Sequence, residues 1–457
     1  MKRVFIANRG EIAVRIIRAC HEMGLEAVVG YSTADADSLA VQMADQAICI
    51  GPATASHSYL SVPALITAAR EMGCDALHPG YGFLSENAAF VRACRESGLV
   101  FIGPSAEAIR AMGDKAEARS LARELGIPTV SGQTDLSSVA AALEYAQEVG
   151  YPVLLKAAGG GGGRGLRLIR EPQEFPDGFM TAQAEAQSAF GNPTLYLERY
   201  LEGVRHVEVQ VLADHHGHAV YLGDRDCSIQ RRHQKLIEEA PAPNLANETR
   251  EAMGHAALTI VRALNYVSAG TIEFLYDPSQ GAYYFMEMNT RIQVEHPVTE
   301  CVTGIDLVRT QIHIAAGASL SWQQGDIVTR GHAVECRINA EDARQNFLPF
   351  PGMLSAYRAP GGPGVRVDSH CYPRYTVPSD YDSLLAKLVV WDSTRPESLQ
   401  RMARALNEYD IQGIPTTLPF LRHVIGNPDF QAAQVSTQWL EDKILPLWQS
   451  ESKETER

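Results

Sequence analysis

The sequence predicts a multidomain protein of mixed α/β and α+β class. Three observations carry this expectation. The 457 residues are about three times the ~150-residue unit that one core usually serves. The first hundred residues alternate short apolar runs with helical patterns, and from Thr194 onward candidate strands dominate.

In the first segment residues 4–7 read as a strand. Ile12, Ile16, Cys20 and Met23 then recur on one helical face, and Gly24 supplies a left-handed stop before the apolar run 25–29. The pattern repeats: a helical stretch 64–72 ends at Gly73 before Ala76-Leu77-His78, and another over 88–97 ends at Gly98 before residues 99–102. Nearly continuous apolar strands separated by helices predict a parallel, doubly wound sheet covered on both faces. Asn8-Arg9-Gly10-Glu11 lacks the second and third glycines of GxGxxG, so this segment reads as a structural domain without an NAD site.

After Pro104 the chain passes Gly113-Asp114-Lys115, a helix to Gly126 and a second helix to Gly150. Residues 151–158 and Leu166–Ile169 then read as strands flanking five consecutive glycines, residues 159–163. Such a run is costly to order and suits a mobile loop whose amides approach an anion; no Gly-Lys-Ser/Thr follows, so it is not a Walker loop. Residues 195–198, 207–212, 219–222, 271–275 and 283–288 are further strands. A third segment opens near Gly331 with a strand over 332–338, passes a Pro/Gly-rich turn at 359–364 and finishes with a helix opened by Thr394 and Pro396. Residues 451–457 read as a frayed tail.

Composition narrows the function. Forty Lys and Arg against 54 Asp and Glu give a formal charge of −14, which disfavours a general nucleic-acid or anionic-membrane surface. No apolar stretch approaches a membrane span. The eight cysteines are scattered without CxxC or zinc spacing and read as reduced thiols. The start lacks a signal-peptide core, so a cytoplasmic protein is expected.

Two stretches carry chemistry. A strand alternates faces, so Glu287 and Asn289 share a side, joined by Arg291, Gln293 and Glu295 if extension persists. With Glu273, this row offers hard oxygen ligands for Mg²⁺ on nucleotide phosphates. The second stretch, residues 224–235, holds Arg225, Arg231, Arg232, His233 and Lys235 between acids. In an acidic chain such a recessed basic cluster predicts a local anion pocket.

These residues carry a resemblance over nearly the whole chain. Ala7-Asn8-Arg9-Gly10-Glu11-Ile12-Ala13, His78-Pro79-Gly80-Tyr81-Gly82-Phe83-Leu84-Ser85-Glu86-Asn87, Lys156 with its glycines, Arg231-Arg232-His233-Gln234-Lys235 and Glu287-Met288-Asn289-Thr290-Arg291-Ile292-Gln293-Val294-Glu295-His296-Pro297 stand in the order found in biotin carboxylases of the ATP-grasp superfamily, which the chain resembles. The resemblance implies a doubly wound pre-ATP-grasp domain over 1–113 and an ATP-grasp domain over 114–325, whose mobile lid covers about 130–203. A C-terminal biotin carboxylase domain over 326–446 and a flexible tail over 447–457 complete the implied architecture.

By the same resemblance Lys115, Lys156, Gly161, Gly162 and Gly163 would hold ATP phosphates, with His206, Gln230 and His233 near the nucleotide and Glu198 and Leu201 around the adenine. Glu273, Glu287 and Asn289 would hold one or two Mg²⁺ ions, with Mn²⁺ as a substitute. Arg291, Gln293 and Glu295 would take bicarbonate, with Glu295 as its base, while Lys235 offsets phosphoryl charge and Arg337 the biotin enolate. The implied reaction carboxylates biotin on a carrier protein by way of carboxyphosphate, as the first half-reaction of acetyl-CoA carboxylase in fatty acid synthesis; the alternative is the equivalent subunit of another acyl-CoA or pyruvate carboxylase.

Ala158, Leu166 and Arg199 depart from the family form without removing a charged catalytic group. Pro363 stands where an aromatic dimer contact is expected, with Arg18, Glu22 and Arg366 at other contact positions, and a homodimer is expected. No Ala-Met-Lys-Met biotinylation tetrapeptide is present, and no carboxyltransferase follows the third domain, so the expected partners are a separate biotin carboxyl carrier protein and carboxyltransferase subunits. Two rivals are another ATP-grasp ligase and a nucleotide-binding regulatory subunit. Arg337 with the 291–295 row argues against the first. Lys115, Lys156, Glu273 and Glu287 argue against the second.

Overall fold

The computed structural model describes residues 1–133, 136, 138–157 and 166–455. Its first unit obeys the alternation read from the sequence. Strands β1 (Arg3–Ile6), β2 (Glu26–Ser32), β3 (Gln46–Gly51), β4 (Ala76–His78) and β5 (Val100–Phe101) form a parallel sheet in the order β3-β2-β1-β4-β5. Val4 and Ile6 face helix α1 (Gly10–Glu22), whereas Phe5 pairs with the opposite core, built on α3 (Val62–Glu71) and α4 (Ala88–Glu96). Helix α2 (Leu39–Met43) fills the second crossover. Gly24, Gly73 and Gly98 end the three long helices at φ +68°, +63° and +76°, a conformation L side chains avoid.

Helices α5 (Ala106–Gly113) and α6 (Lys115–Glu124) lead into a small body with its own core: β6 (Gly132–Gln133), β7 (Val153–Ala157), β8 (Leu166–Ile169) and β9 (Leu195–Arg199), ordered β6-β9-β7-β8 and backed by α7 (Val139–Val149) and α8 (Phe175–Phe190). The glycine run of 159–163, with Gly161, Gly162 and Gly163, lies outside the described residues.

The rest is organised by one eight-stranded antiparallel sheet. Strands β10 (Arg205–Ala213), β11 (Ala219–Arg231), β12 (Gln234–Ala240), β13 (Ser268–Asp277) and β14 (Ala282–Asn289) are joined by β15 (His332–Asn339) and two later strands. Three short antiparallel pairs surround the later part: β16 (Glu341–Asp342) with β17 (Leu348–Pro349), β18 (Gly352–Met353) with β21 (Thr376–Val377), and β19 (Ala356–Arg358) with β23 (Asp410–Gln412). With β20 (Val365–Ser369) and β22 (Leu384–Asp392), the order of the large sheet is β14-β13-β10-β11-β12-β15-β22-β20. Pairing of β12 with β15 carries the sheet unbroken across the boundary at 325/326 that the resemblance implies.

Helix α9 (Asn247–Ala263), absent from the sequence reading, covers β10 and β11. Helix α10 (His296–Thr303) lies on β12, β15 and β22, and α11 (Leu307–Ala315) on β13. Helix α12 (Arg395–Glu408) opens at Thr394, whose side chain accepts from the Glu397 amide. It does not finish the chain: α13 (Leu418–Gly426), α14 (Pro428–Gln431) and α15 (Leu445–Thr455) follow. Within the expected tail of 447–457, residues to Thr455 are helical and Trp448 stands edge-on to Phe420. No described helix is long and apolar enough to cross a membrane.

Candidate active site

Between the small body and the large sheet runs an open cleft of about 1220 Å³. Every described residue singled out above for nucleotide, metal or catalysis lines it: Lys115, Lys156, Glu198, Leu201, His206, Gln230, His233, Lys235, Glu273, Glu287, Asn289, Arg291, Gln293, Glu295 and Arg337. Residues from Lys115 to Arg337, far apart along the chain, thus meet in one space.

One end is apolar, walled by Val130, Leu154, Leu168, Leu201, Leu275 and Met286, and suits a flat ring. Beside it β7 and β9 pair Lys156 against Tyr196, and Lys156 Nζ reaches Glu198 Oε2 at 2.5 Å while Arg119 takes the other carboxylate oxygen. Gln230 is the last residue but one of β11, and Arg232 and His233 form the β11–β12 turn at φ +47° and +63°. Further along, Lys115 Nζ stands 3.0 Å from Glu287 Oε2. Burial works against the Lys115 charge, but Glu287 outweighs it and raises the ammonium above its ordinary value.

The other end is a charge lattice. Lys235 Nζ donates to Glu208 Oε2 at 2.7 Å, Glu273 Oε1 at 3.1 Å and Glu295 Oε1 at 2.5 Å, using its three protons on three carboxylates. Arg337 Nη2 donates to Glu295 Oε2 at 2.9 Å. Burial would push the Glu295 carboxyl up, yet Lys235 and Arg337 hold it down to about 2. Buried His206, 3.3 Å from Glu273 Oε2, is lifted to about 9, the carboxylate outweighing desolvation.

The polar row behaves differently from expectation. Extension does not persist: β14 stops at Asn289, and residues 290–295 form a loop and turn into α10. The row converges nevertheless. Asn289 Nδ2 and Gln293 Nε2 each donate to Glu273 Oε1 at 2.8 Å, and Arg291 bonds Glu86 and Asn289 at 2.9 and 3.0 Å. The basic stretch of 224–235 also divides. Lys235, Arg232 and His233 reach the cleft, but Arg225 is fully buried behind it, bonded to Glu208, Gln210, Thr299, Thr271 and Gln293. Arg231 lies over the Phe347 ring and bonds Asn346. Arg225 shares the sheet face of Glu208 and Glu273 but is covered by Gln293 and by Thr299 of α10, so a run of basic residues is a poor guide to which of them meet a ligand.

Sequence reasoning missed Glu208, gave Glu238 no role of its own, and placed Arg225 in the anion pocket and not behind it. A signal for the first existed: His206, Glu208 and Gln210 are polar at every second position of a strand whose intervening residues are valines.

A divalent metal fits this donor set. Glu273 and Glu287 are direct cross-strand partners, both carboxylates, and both face the cleft with Asn289 beside them. Glu273 bonds Lys235 and Glu287 bonds Lys115; among the described residues the groupings of three possible ligand side chains are His206–Glu208–Glu273 and Glu208–Cys227–Glu295.

Comparison with known proteins agrees with this geometry. Residues 1–109 match the family described as biotin carboxylase, N-terminal domain, residues 114–323 the ATP-binding domain of the carbamoyl-phosphate synthase L chain, and residues 335–442 the biotin carboxylase C-terminal domain. A biotin carboxylase of Nostoc sp. is 53% identical over 441 residues, 96% of this chain and 98% of that protein. The crystal structure of a Campylobacter jejuni biotin carboxylase–β,γ-ATP complex superposes with a TM-score of 0.93 at 47% identity, covering 96% and 98% of the two chains. The biotin carboxylase domain dimer of Hydrogenobacter thermophilus 2-oxoglutarate carboxylase, in complex with MgADP, ADP and bicarbonate, gives 0.92 at 46% identity and 96% and 97% coverage.

Proposed function

The chain belongs to the biotin carboxylase family and is an ATP-dependent carboxylating ligase; from that premise we propose that it carboxylates biotin presented by a separate carrier protein, as the first half-reaction of an acetyl-CoA carboxylase in fatty acid synthesis. The observation that carries the reading is Glu295 held between Lys235 and Arg337 at 2.5 and 2.9 Å, next to Glu273.

Bicarbonate is a weak nucleophile, and its attack on a γ-phosphoryl group gathers negative charge that must be offset. In the resting lattice Lys235 and Arg337 are engaged by carboxylates, which makes Glu295 a poor base. Anionic substrates compete for the same two cations. As they do so, Glu295 loses the charges that depress it and becomes basic enough to take the bicarbonate proton. Arg291 and Gln293 then orient the acid, Lys115 and Lys156 hold the phosphates, and Lys235 offsets charge on the transferring group. Glu273, Glu287 and Asn289 would hold Mg²⁺, which when bound supplies charge neutralisation of the phosphates. Carboxyphosphate decomposes to CO₂ and inorganic phosphate; the phosphate takes the ureido N–H proton of biotin, and the resulting enolate, stabilised by Arg337, bonds to CO₂. Carboxyphosphate also hydrolyses, so the small body over the cleft is assigned the exclusion of water.

Likeness to the dimeric 2-oxoglutarate carboxylase domain supports a homodimer. It also favours a second reading, a different carboxyl acceptor, because the acceptor is chosen by the transferase partner and not by this cleft. The eight free cysteines support a reducing cytoplasm.

Purified protein given Mg-ATP, bicarbonate and biotin should release ADP in a biotin-dependent manner. Folded protein that releases none, even with a biotinylated carrier, refutes the reading. Pull-down of the carrier and transferase identifies the acceptor.

A further inference from the structure

Arg337 is gripped from behind. Its Nε donates to Glu238 Oε1 at 2.6 Å, and Nη2 lies 2.5 Å from the same oxygen while also reaching Glu295. Among the described residues Nη1 has no hydrogen bond, and the guanidinium lines the cleft. The Nε edge is thus fixed by Glu238, and Nη1 is left for a ligand.

Glu238 is fully buried, and its Oε2 has no hydrogen-bond partner among the described residues. Directly across the β12–β15 ladder stands Glu335, also fully buried, with neither oxygen partnered among the described residues. Such partners have Cβ atoms about 5 Å apart on one face. The neighbouring cations are committed elsewhere. Lys387 Nζ bonds Glu11 and the Val294 carbonyl at 3.0 and 2.9 Å, and Lys235 serves its three carboxylates. Two acids therefore share a dry face on which one guanidinium bonds only one of them.

We propose that Glu238 is a positioning residue for biotin carboxylation: its carboxylate holds Arg337 by the Nε edge so that Nη1 faces the reacting centre, and the dry face that Glu238 shares with Glu335 makes this grip pH-dependent. The inference rests on the activity proposed above and adds to it a role for two residues that do not reach the cleft.

The electrostatics run the same way. Burial lifts Glu335 well above the ordinary carboxyl range and so favours its neutral form, with Lys387 and Arg337 pulling back and Glu238 and Glu295 adding to the rise. Burial also raises Glu238, to about 7, against the opposing pull of Arg337 and Lys235 and with the help of Glu295. As pH falls through that value Glu238 takes up a proton, its bonds to Arg337 lose their ionic character and the guanidinium is no longer held.

The test is a pH–rate profile of biotin-dependent ADP release, with free biotin as acceptor, for wild type, Glu238→Gln and Glu335→Gln. Wild type should show an acid limb near neutrality. Glu238→Gln should lower kcat about tenfold at about pH 8, leave the KM for ATP within about twofold and lose that limb. Glu335→Gln, which replaces one neutral group by another, should keep the limb in place. A Glu238→Gln enzyme with kcat within about twofold of wild type, or with the limb unmoved, overturns the proposal. Should that variant fail to fold, infrared titration of the wild-type protein labelled at the glutamate carboxyl carbons decides: one protonated acid persisting into alkaline solution and lost in Glu335→Gln, and a second deprotonating near neutrality, are expected. A titration without them overturns the pair. Absence of any biotin-dependent turnover would instead overturn the proposed activity, and the infrared result would still stand by itself.

Discussion

Strands β15 and β22 present two faces that could hardly differ more. On one, Val334, Cys336 and Ile338 interleave with Ala386, Leu388 and Val390 beneath α12 and α13, a dry hydrocarbon layer completed by Met402, Phe420 and Leu421. On the other, Glu335, Arg337 and Lys387 lie beneath α10 and α1 with Glu238, Asp368, Glu300 and Glu11. Both faces are buried. The first stabilises by removing apolar area from water, at about 25 cal/mol per Å². The second loses hydration energy that hydrogen bonds and opposite charges must offset, and it does so incompletely, since among the described residues Glu335 and one oxygen of Glu238 have no hydrogen-bond partner. The same backbone ladder therefore carries stability on one side and chemistry on the other.

Perturbing each face should separate the two effects. Glu295→Gln, on the charged side, should reduce biotin-dependent ADP release about a thousandfold while nucleotide affinity, measured by calorimetry, stays within a few-fold; equal turnover would remove Glu295 from the role of base. Leu388→Ala, on the apolar side, should cost about 3 kcal/mol in urea unfolding with kcat per folded molecule unchanged. If kcat falls with it, the faces are coupled and the contrast fails.

Glu335→Gln sharpens the comparison through pH. The Glu335 carboxyl is raised above its unfolded value, so between the two values the folded chain holds the extra proton and wild-type stability falls as pH rises. The variant lacks this loss. Its melting temperature should gain on wild type as pH rises above about 5, with a slope of up to about 1.4 kcal/mol per pH unit; a gap independent of pH would mean that Glu335 is ionised in both states. At the small end, Arg404→Ala removes an exposed i,i+4 pair with Glu408 and should change stability by no more than about 0.5 kcal/mol.

Much of the fold was legible because it is local. The helical face of α1, the left-handed glycines and the Thr394 cap each depend on neighbours a few residues apart. The site was legible where side chains share a strand face, as for Glu273 and Glu287. It was not legible beyond Asn289, where Gln293 and Glu295 reach Glu273 and Lys235 through a turn that strand periodicity cannot foresee. Nor was Glu238 visible as a partner of Arg337, because 99 residues separate them.

What the sequence by itself determined is alternation: which residues of β15 go to one side and which to the other follows from the pleat, whatever lies above them. Read alone, Glu335 and Arg337 would mark a solvent face, because charged residues at every second position usually meet water. Only tertiary structure laid α1 and α10 over that face and withdrew its water. The cost of desolvating a charge depends on everything packed within several ångströms, a property of the assembled layers and of no single stretch of chain.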